Sequence, residues 1–241
     1  MTVAPDGAGV PSGDKRRQVR EMFSAIAPTY DLLNHLLSLG IDRSWRAAAV
    51  GRLGWERCPE GRYLDCCAGT LDLAETLLAR PGFRGWVTGA DFAVPMLKRG
   101  ARKAGGLVRR AAADALRLPF ADRTFDGALV GFGVRNLSDL DAGLAELRRV
   151  LRDGARLVVL EFSTPAVAPI RALYHLYFHG VLPLVGRVIS GNPTAYEYLP
   201  SSVTEFPSPP ALQARMERAG FLVCGWSVLT GGIAALHWGE R

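Results

Sequence analysis

Three carboxylates at the ends of apolar runs are the first residues in this chain that could do chemistry. Asp65 opens a small-residue turn, Leu64-Asp65-Cys66-Cys67-Ala68-Gly69-Thr70-Leu71-Asp72. Small side chains there let a ligand approach the backbone, and Gly69 can take the positive φ of a sharp bend. Asp91 follows in Gly89-Ala90-Asp91-Phe92, where a carboxylate can accept hydrogen bonds from both hydroxyls of a ribose. Asp114, in Ala113-Asp114-Ala115-Leu116, is placed to receive an adenine amino group. Each has a plainer alternative: Asp91 caps the next helix, and Asp114 serves structure alone. The Gly-x-Gly-x-x-Gly of a dinucleotide site is absent, so a pyrophosphate ligand is not indicated.

Two other groupings carry less. His175 and His179 lie four apart on an expected helix, a spacing that suits a metal pair, but no third ligand follows and no metal is expected. Cys58, Cys66, Cys67 and Cys224 contain no Cys-x-x-Cys, so neither a zinc site nor a disulfide framework is indicated.

The elements that would position these residues alternate. Residues 62–66 read as a short apolar strand, 72–80 as a helix stopped by Pro81-Gly82, 86–90 as a second strand, and 94–104 as a helix closed by Gly105-Gly106. Residues 107–112 are weakly strand-like, and 125–132 are apolar almost throughout, the mark of a strand buried on both faces. Asp139 or Asp141 should cap a helix reaching Leu151, with Leu144, Leu147 and Leu151 on one face, before a buried strand over 156–162. Such alternation predicts an α/β doubly wound sheet with right-handed crossovers, and ligands at the carboxyl ends of its strands.

Outside that core, residues 15–53 read as helices, through Val19, Met22, Phe23 and Ile26, then Leu32, Leu33, Leu36 and Leu37, with Asp42 as N-cap of a helix over 45–53. Residues 166–206 break the pattern with aromatic, Pro- and His-containing text. A helix over 210–219 with Gly220 as its C-cap then leads to strands 221–229 and 233–238, joined by Thr230-Gly231-Gly232. The expected organisation is a disordered leader over 1–14 and one domain over 15–241. Within it, 15–60 supply N-terminal helices, 61–163 the ligand-binding core, 164–208 a substrate-cap insertion and 209–241 a terminal helix and strand pair.

At 241 residues, 49% hydrophobic and 22% charged, the composition is that of one globular domain. The net charge of +6 rests on 29 basic residues, of which only Lys15, Lys98 and Lys103 are lysine. The arginines are scattered rather than clustered with aromatics, so nucleic acid is not an expected partner. No stretch approaches the roughly 18 uninterrupted apolar residues of a membrane span. The N-terminus lacks a basic region followed by an apolar one, and the expected compartment is the cytoplasm.

With these features in place, the chain resembles the ubiquinone and menaquinone biosynthesis C-methyltransferase family, from about residue 19 to residue 237. The matches include Ala27-Pro28-Thr29-Tyr30-Asp31 with Asn34 and Leu160-Glu161-Phe162-Ser163, and the more specific ones are Phe132-Gly133-Val134-Arg135-Asn136 and Tyr196-Glu197-Tyr198-Leu199. The resemblance implies a class I S-adenosylmethionine-dependent methyltransferase: a Rossmann-like, seven-stranded, mostly parallel sheet with helices on both faces and an antiparallel last strand. It implies that Thr70, Asp91, Phe92, Asp114 and Ala115 lie at the cofactor S-adenosylmethionine, with Asp65 and Gly69 shaping the turn. Many relatives carry Ser where Gly131 stands, so a side-chain contact is lost there.

The substrate implied is an isoprenoid quinol, demethylmenaquinol in the first instance, methylated on a ring carbon. Such a carbon is a poor nucleophile until a ring hydroxyl, of reference pKa about 10, loses its proton. Arg135 is the candidate charge beside the nascent phenolate, unless it pairs with Asp139 or another carboxylate, and Asn136 would orient the hydroxyl. Tyr196 is grouped with them as a catalytic candidate, and Tyr30, Asn34 and Tyr198 would close the pocket over substrate. The apolar text around Ile170, Leu173, Tyr174 and Leu176 suits an isoprenoid tail and peripheral contact with a membrane. A homodimer is compatible with all of this.

One departure stands out. The family reads Gly-Thr-Gly-Asp where this chain reads Gly69-Thr70-Leu71-Asp72. A Leu needing positive φ is strained, and one whose side chain fills the pocket would leave a non-catalytic lipid-binding or scaffolding protein. Turned into the sheet, it leaves the pocket intact. A methyltransferase for another small aromatic substrate is the other alternative.

Overall fold

A computed structural model describes residues 12–28, 30, 38–103, 107–177, 180 and 193–241. Helix α1 (Ser12–Ile26) begins inside the segment expected to be leader, and α2 is Ile41–Leu53. The core then runs β1 (Arg62–Cys66), α3 (Asp72–Leu78), β2 (Trp86–Asp91), α4 (Val94–Lys103), β3 (Val108–Ala112), β4 (Phe125–Gly131), α5 (Leu140–Val150) and β5 (Leu151–Phe162). Helices α6 (Ala168–Leu176), α7 (Pro193–Glu205) and α8 (Pro209–Arg218) precede the final strands β6 (Leu222–Leu229) and β7 (Ala234–Glu240).

The described strands form one seven-stranded sheet ordered β3-β2-β1-β4-β5-β7-β6. The first five in that order pair in parallel, and β7 lies antiparallel to both β5 and β6. Side-chain alternation divides two cores between the faces. Tyr63, Leu129, Val158 and Leu160 join Trp45, Val50 and Leu77 on one face. Leu64, Val130, Leu157 and Val159 join Leu144, Leu147, Leu212 and Met216 on the other. That pattern is why β4 and β5 read as continuous apolar runs. The chain order reverses between β1 and β4, which opens a crevice at their carboxyl ends.

Two local expectations are corrected. Asp42 does not cap α2: the N-cap is Gly40, at φ 76°, and the Asp42 carboxylate instead pairs four residues on with Arg46, which also reaches Asp72 at 2.9 Å. Leu151 starts β5 instead of ending α5, pairing with Phe125. Of the two proposed caps for α5, Asp139 is the one, accepting from the Ala142 N–H at 2.9 Å. No described helix is long and apolar enough to cross a membrane.

Candidate active site

The turn after β1 alternates in hand. Cys67, Gly69 and Leu71 all take positive φ, of 55°, 50° and 68°. The turn closes through Leu71 N–H donating to Ala68 C=O at 2.7 Å. Left-handed conformation costs a non-glycine residue about 1–2 kcal/mol, so Cys67 and Leu71 must be held by their surroundings. Leu71 is held by burial: its side chain has no exposed surface and packs into the sheet-side core. A Cβ added at Gly89 would lie 2.3 Å from Leu71 Cδ2, and one at Gly100 would lie 2.7 Å from its Cγ. Two glycines, one on β2 and one on α4, thus make the space this leucine fills. Full burial of such a side chain contributes roughly 1.5–3 kcal/mol, enough to offset the backbone cost. Leu71 does not border the ligand cleft.

As N-cap of α3, Leu71 has no side-chain acceptor to offer. Asp65 supplies it from β1, accepting the Ala74 N–H at 3.0 Å. Its carboxyl is pushed well above the usual range by burial, with the Ala74 N–H pulling it back and the charges of Asp72 and Asp91 adding to the rise. Asp65 and Thr70 are buried behind the turn and do not border the cleft.

A cleft opens at the carboxyl ends of β1, β2 and β4. Gly69, Asp91, Phe92, Asp114 and Ala115, all expected at the cofactor, border it. Asp91 Oδ2 accepts the Gly69 N–H at 2.8 Å and Oδ1 the Ala93 N–H at 2.7 Å. Burial raises its carboxyl pKa, and bonds from the Ala93, Gly69 and Phe92 amides oppose the rise. So backbone amides hold this carboxylate in place at the edge of the cleft.

At Asp114, Oδ1 accepts the Leu116 N–H at 3.0 Å while Oδ2 receives the Arg16 guanidinium at 2.7 Å. Helix α1 therefore reaches the far end of the cleft. Cys67 and Gly133 bring the loops after β1 and β4 together, since a Cβ at residue 133 would fall 2.4 Å from that of Cys67. Contact with Cys66, followed by burial, pushes the Cys67 thiol pKa well up, so it faces the cleft uncharged. A Cβ at Gly131 would meet Leu73 Cδ1 at 2.7 Å. Leucine thus takes up the room a side chain at residue 131 would need.

For a sulfonium nucleoside of the kind the resemblance implies, this donor set fits. The fixed Asp91 carboxylate would serve the ribose and Asp114 the adenine edge, and the glycine-lined turn leaves the backbone approachable, with only Met96 Cε within 4 Å of a Cβ added at Gly69.

Asn136 borders the same cleft, as do Phe132 and the Phe23 and Tyr30 rings, which pack against Ala93 and Met96. Asn136 Oδ1 accepts from Tyr198 Oη at 3.0 Å, and its Nδ2 donates to Phe132 C=O at 3.4 Å. Arg135 is corrected as a free cation. Its side chain is 6% exposed and donates to Glu161 Oε1 at 2.7 Å and to Phe132 C=O at 2.6 Å, while Asp139 is occupied in capping α5. Glu161, 1% exposed, has its carboxyl pKa raised by burial against the pull of Arg135. Asn34 and the Tyr196 side chain lie outside the described residues, as do the side chains of His175 and His179; no metal-ligating cluster occurs among the described ones.

Residues the sequence did not single out also form the cleft: Arg16, Cys67 and Met96 border it, and Phe23 does so where helical spacing suggested only core. Glu161 could have been suspected as an acid inside a buried strand, a rare placement without a partner.

Comparison with known proteins agrees with this geometry. A sequence model described as the ubiE/COQ5 methyltransferase family matches residues 12–241. The chain is 52% identical over 224 residues to a demethylmenaquinone methyltransferase of Thermus thermophilus, covering 91% of this chain and 100% of that one. It is 43% identical over 233 residues to a ubiquinone/menaquinone biosynthesis C-methyltransferase of Geotalea daltonii, covering 95% and 98%. In fold it is similar to a solved S-adenosylmethionine-dependent methyltransferase from Thermotoga maritima, with a TM-score of 0.64 at 21% identity over 91% of this chain and 98% of that one.

Proposed function

The chain belongs to the ubiE/COQ5 methyltransferase family, and we propose that it methylates a ring carbon of demethylmenaquinol, giving menaquinol. S-adenosylmethionine, its cofactor, supplies an activated methyl group on sulfur. The observation that supports the substrate reading is one cleft bordered both by the fixed carboxylates of Asp91 and Asp114 and by Phe23, Tyr30, Phe132 and the Asn136 amide.

The protein's contribution is placement and exclusion of water. Asp91 and Asp114 orient the donor. Aromatic rings confine a flat acceptor, and Asn136, held by Tyr198, fixes the ring hydroxyl whose proton must leave. Arg135 acts here as part of a neutral pair with Glu161, and stiffens the Phe132 to Asn136 segment instead of presenting a bare charge. Exposed Val167 and Leu176 flank α6, which supports the membrane contact needed to draw up an isoprenoid substrate.

The test is turnover of demethylmenaquinol against water-soluble phenols with S-adenosylmethionine present. A higher kcat/KM on the isoprenoid quinol is expected, and faster turnover of the soluble phenols overturns the substrate assignment.

A further inference from the structure

We propose that Leu71 is a positioning residue for the cofactor, locking the turn after β1 in its ligand-ready shape before any ligand arrives. The inference rests on the cofactor reading of the cleft. Its basis is a chain of contacts. The Leu71 side chain is gripped between Gly89 and Gly100, and a Cβ at Gly100 would also lie 2.6 Å from Thr70 C=O, so α4 rests directly on the Thr70-Leu71 backbone. The Leu71 N–H closes the turn on Ala68 C=O. Inside that closed turn, the Gly69 N–H points at Asp91 Oδ2 and fixes the carboxylate that borders the cleft.

With glycine at residue 71, the backbone could adopt the same φ of 68° but would have many others open to it. With leucine, the side chain can stay in its cradle only when the backbone is left-handed. Burial therefore selects one turn conformation, and a ligand meets a site that is already assembled. If only a fraction of molecules holds the competent turn, apparent affinity falls by that fraction. Leu71 itself touches no ligand. It acts through Gly69 and Asp91.

The test uses the full chain and S-adenosylhomocysteine. Leu71→Gly should weaken its calorimetric Kd about tenfold, the loss appearing in the entropy, as expected when preorganisation is removed. KM for S-adenosylmethionine should rise in parallel, with kcat at saturating cofactor within about twofold of the parent. Leu71→Met, unbranched and able to enter the same cradle, should recover most of the affinity. A second variant leaves residue 71 alone: Gly89→Ala would set a methyl 2.3 Å from Leu71 Cδ2 and should weaken binding in the same way. If both Leu71→Gly and Gly89→Ala lower the melting temperature while Kd and KM stay within about twofold, Leu71 is only core filler and the proposal is overturned. Failure of the parent chain to bind S-adenosylhomocysteine at all would instead sink the cofactor reading beneath it.

Discussion

Tyr198 on α7 donates a 3.0 Å hydrogen bond to Asn136, in the loop after β4. Helix α7 is thereby tied to a residue that borders the cleft. Burial raises the Tyr198 phenol pKa despite the nearby Arg135 charge, so the hydroxyl remains a donor at neutral pH. Removing it with Tyr198→Phe should cost about 0.5–1.5 kcal/mol of placement, read as a rise of roughly two- to tenfold in KM for the quinol. Calorimetric affinity for S-adenosylhomocysteine should stay unchanged. Equal weakening of both ligands would mean that the bond supports the whole fold rather than the acceptor side.

The Arg135–Glu161 pair predicts a different pattern. Losing one partner from a buried pair costs roughly 3–5 kcal/mol, because the other charge is stranded. Arg135→Met should lower the melting temperature by about 10 °C. The double replacement Arg135→Met with Glu161→Leu should regain most of that, since no buried charge is left. If the single variant melts as the parent does, the pair is not the anchor of the Phe132 to Asn136 segment.

Asp91→Asn probes the donor side. The amide keeps one acceptor oxygen but turns an NH2 toward either the Gly69 or the Ala93 N–H, both of which now donate to the carboxylate. Hydrogen bonds to a charged group contribute about 1.5–3 kcal/mol, so S-adenosylhomocysteine should bind roughly 10- to 100-fold more weakly. Titration calorimetry reads this directly; unchanged affinity would remove Asp91 from the site.

His237 gives the pH dependence of stability. It is 2% exposed in β7, with Nε2 within 3.0 Å of Pro209 C=O and no hydrogen-bond partner for Nδ1. Burial lowers its pKa to about 4, the Pro209 bond opposing. The unfolded imidazole, at about 6.5, takes up a proton first, so stability holds above that pH and is lost as pH falls toward 4. Urea unfolding at pH 5 should show about 2 kcal/mol less stability from this residue than at pH 7. His237→Gln should flatten that slope while keeping the bond to Pro209, and an unaltered slope would assign it to other groups.

The strands were legible because their side chains alternate between two cores. Their ends were marked by the acids that follow, so Asp91 and Asp114 could be picked out before any geometry was known. What stayed hidden was whatever depends on distant partners. Asp42 looked like a cap because acids favour that place. Its pull toward Arg46 and the glycine at Gly40 decided otherwise. Arg135 could not be given its partner, because the carboxylate it pairs with lies 26 residues away on β5. Leu71 left two outcomes open, filling the pocket or turning into the sheet, because the two glycines that accommodate it sit on separate elements.

The residues bordering the cleft come from three parts of the chain. Gly69, Asp91 and Asp114 lie at the ends of β1, β2 and β3 or just beyond them. Arg16, Phe23 and Tyr30 arrive from upstream, and Tyr198 reaches Asn136 from a downstream helix. Helix α1 meets the cleft twice: Arg16 bonds Asp114, and Phe23 packs beside Met96. A change upstream in the chain is therefore felt where the carboxylates lie as well as among the aromatic rings.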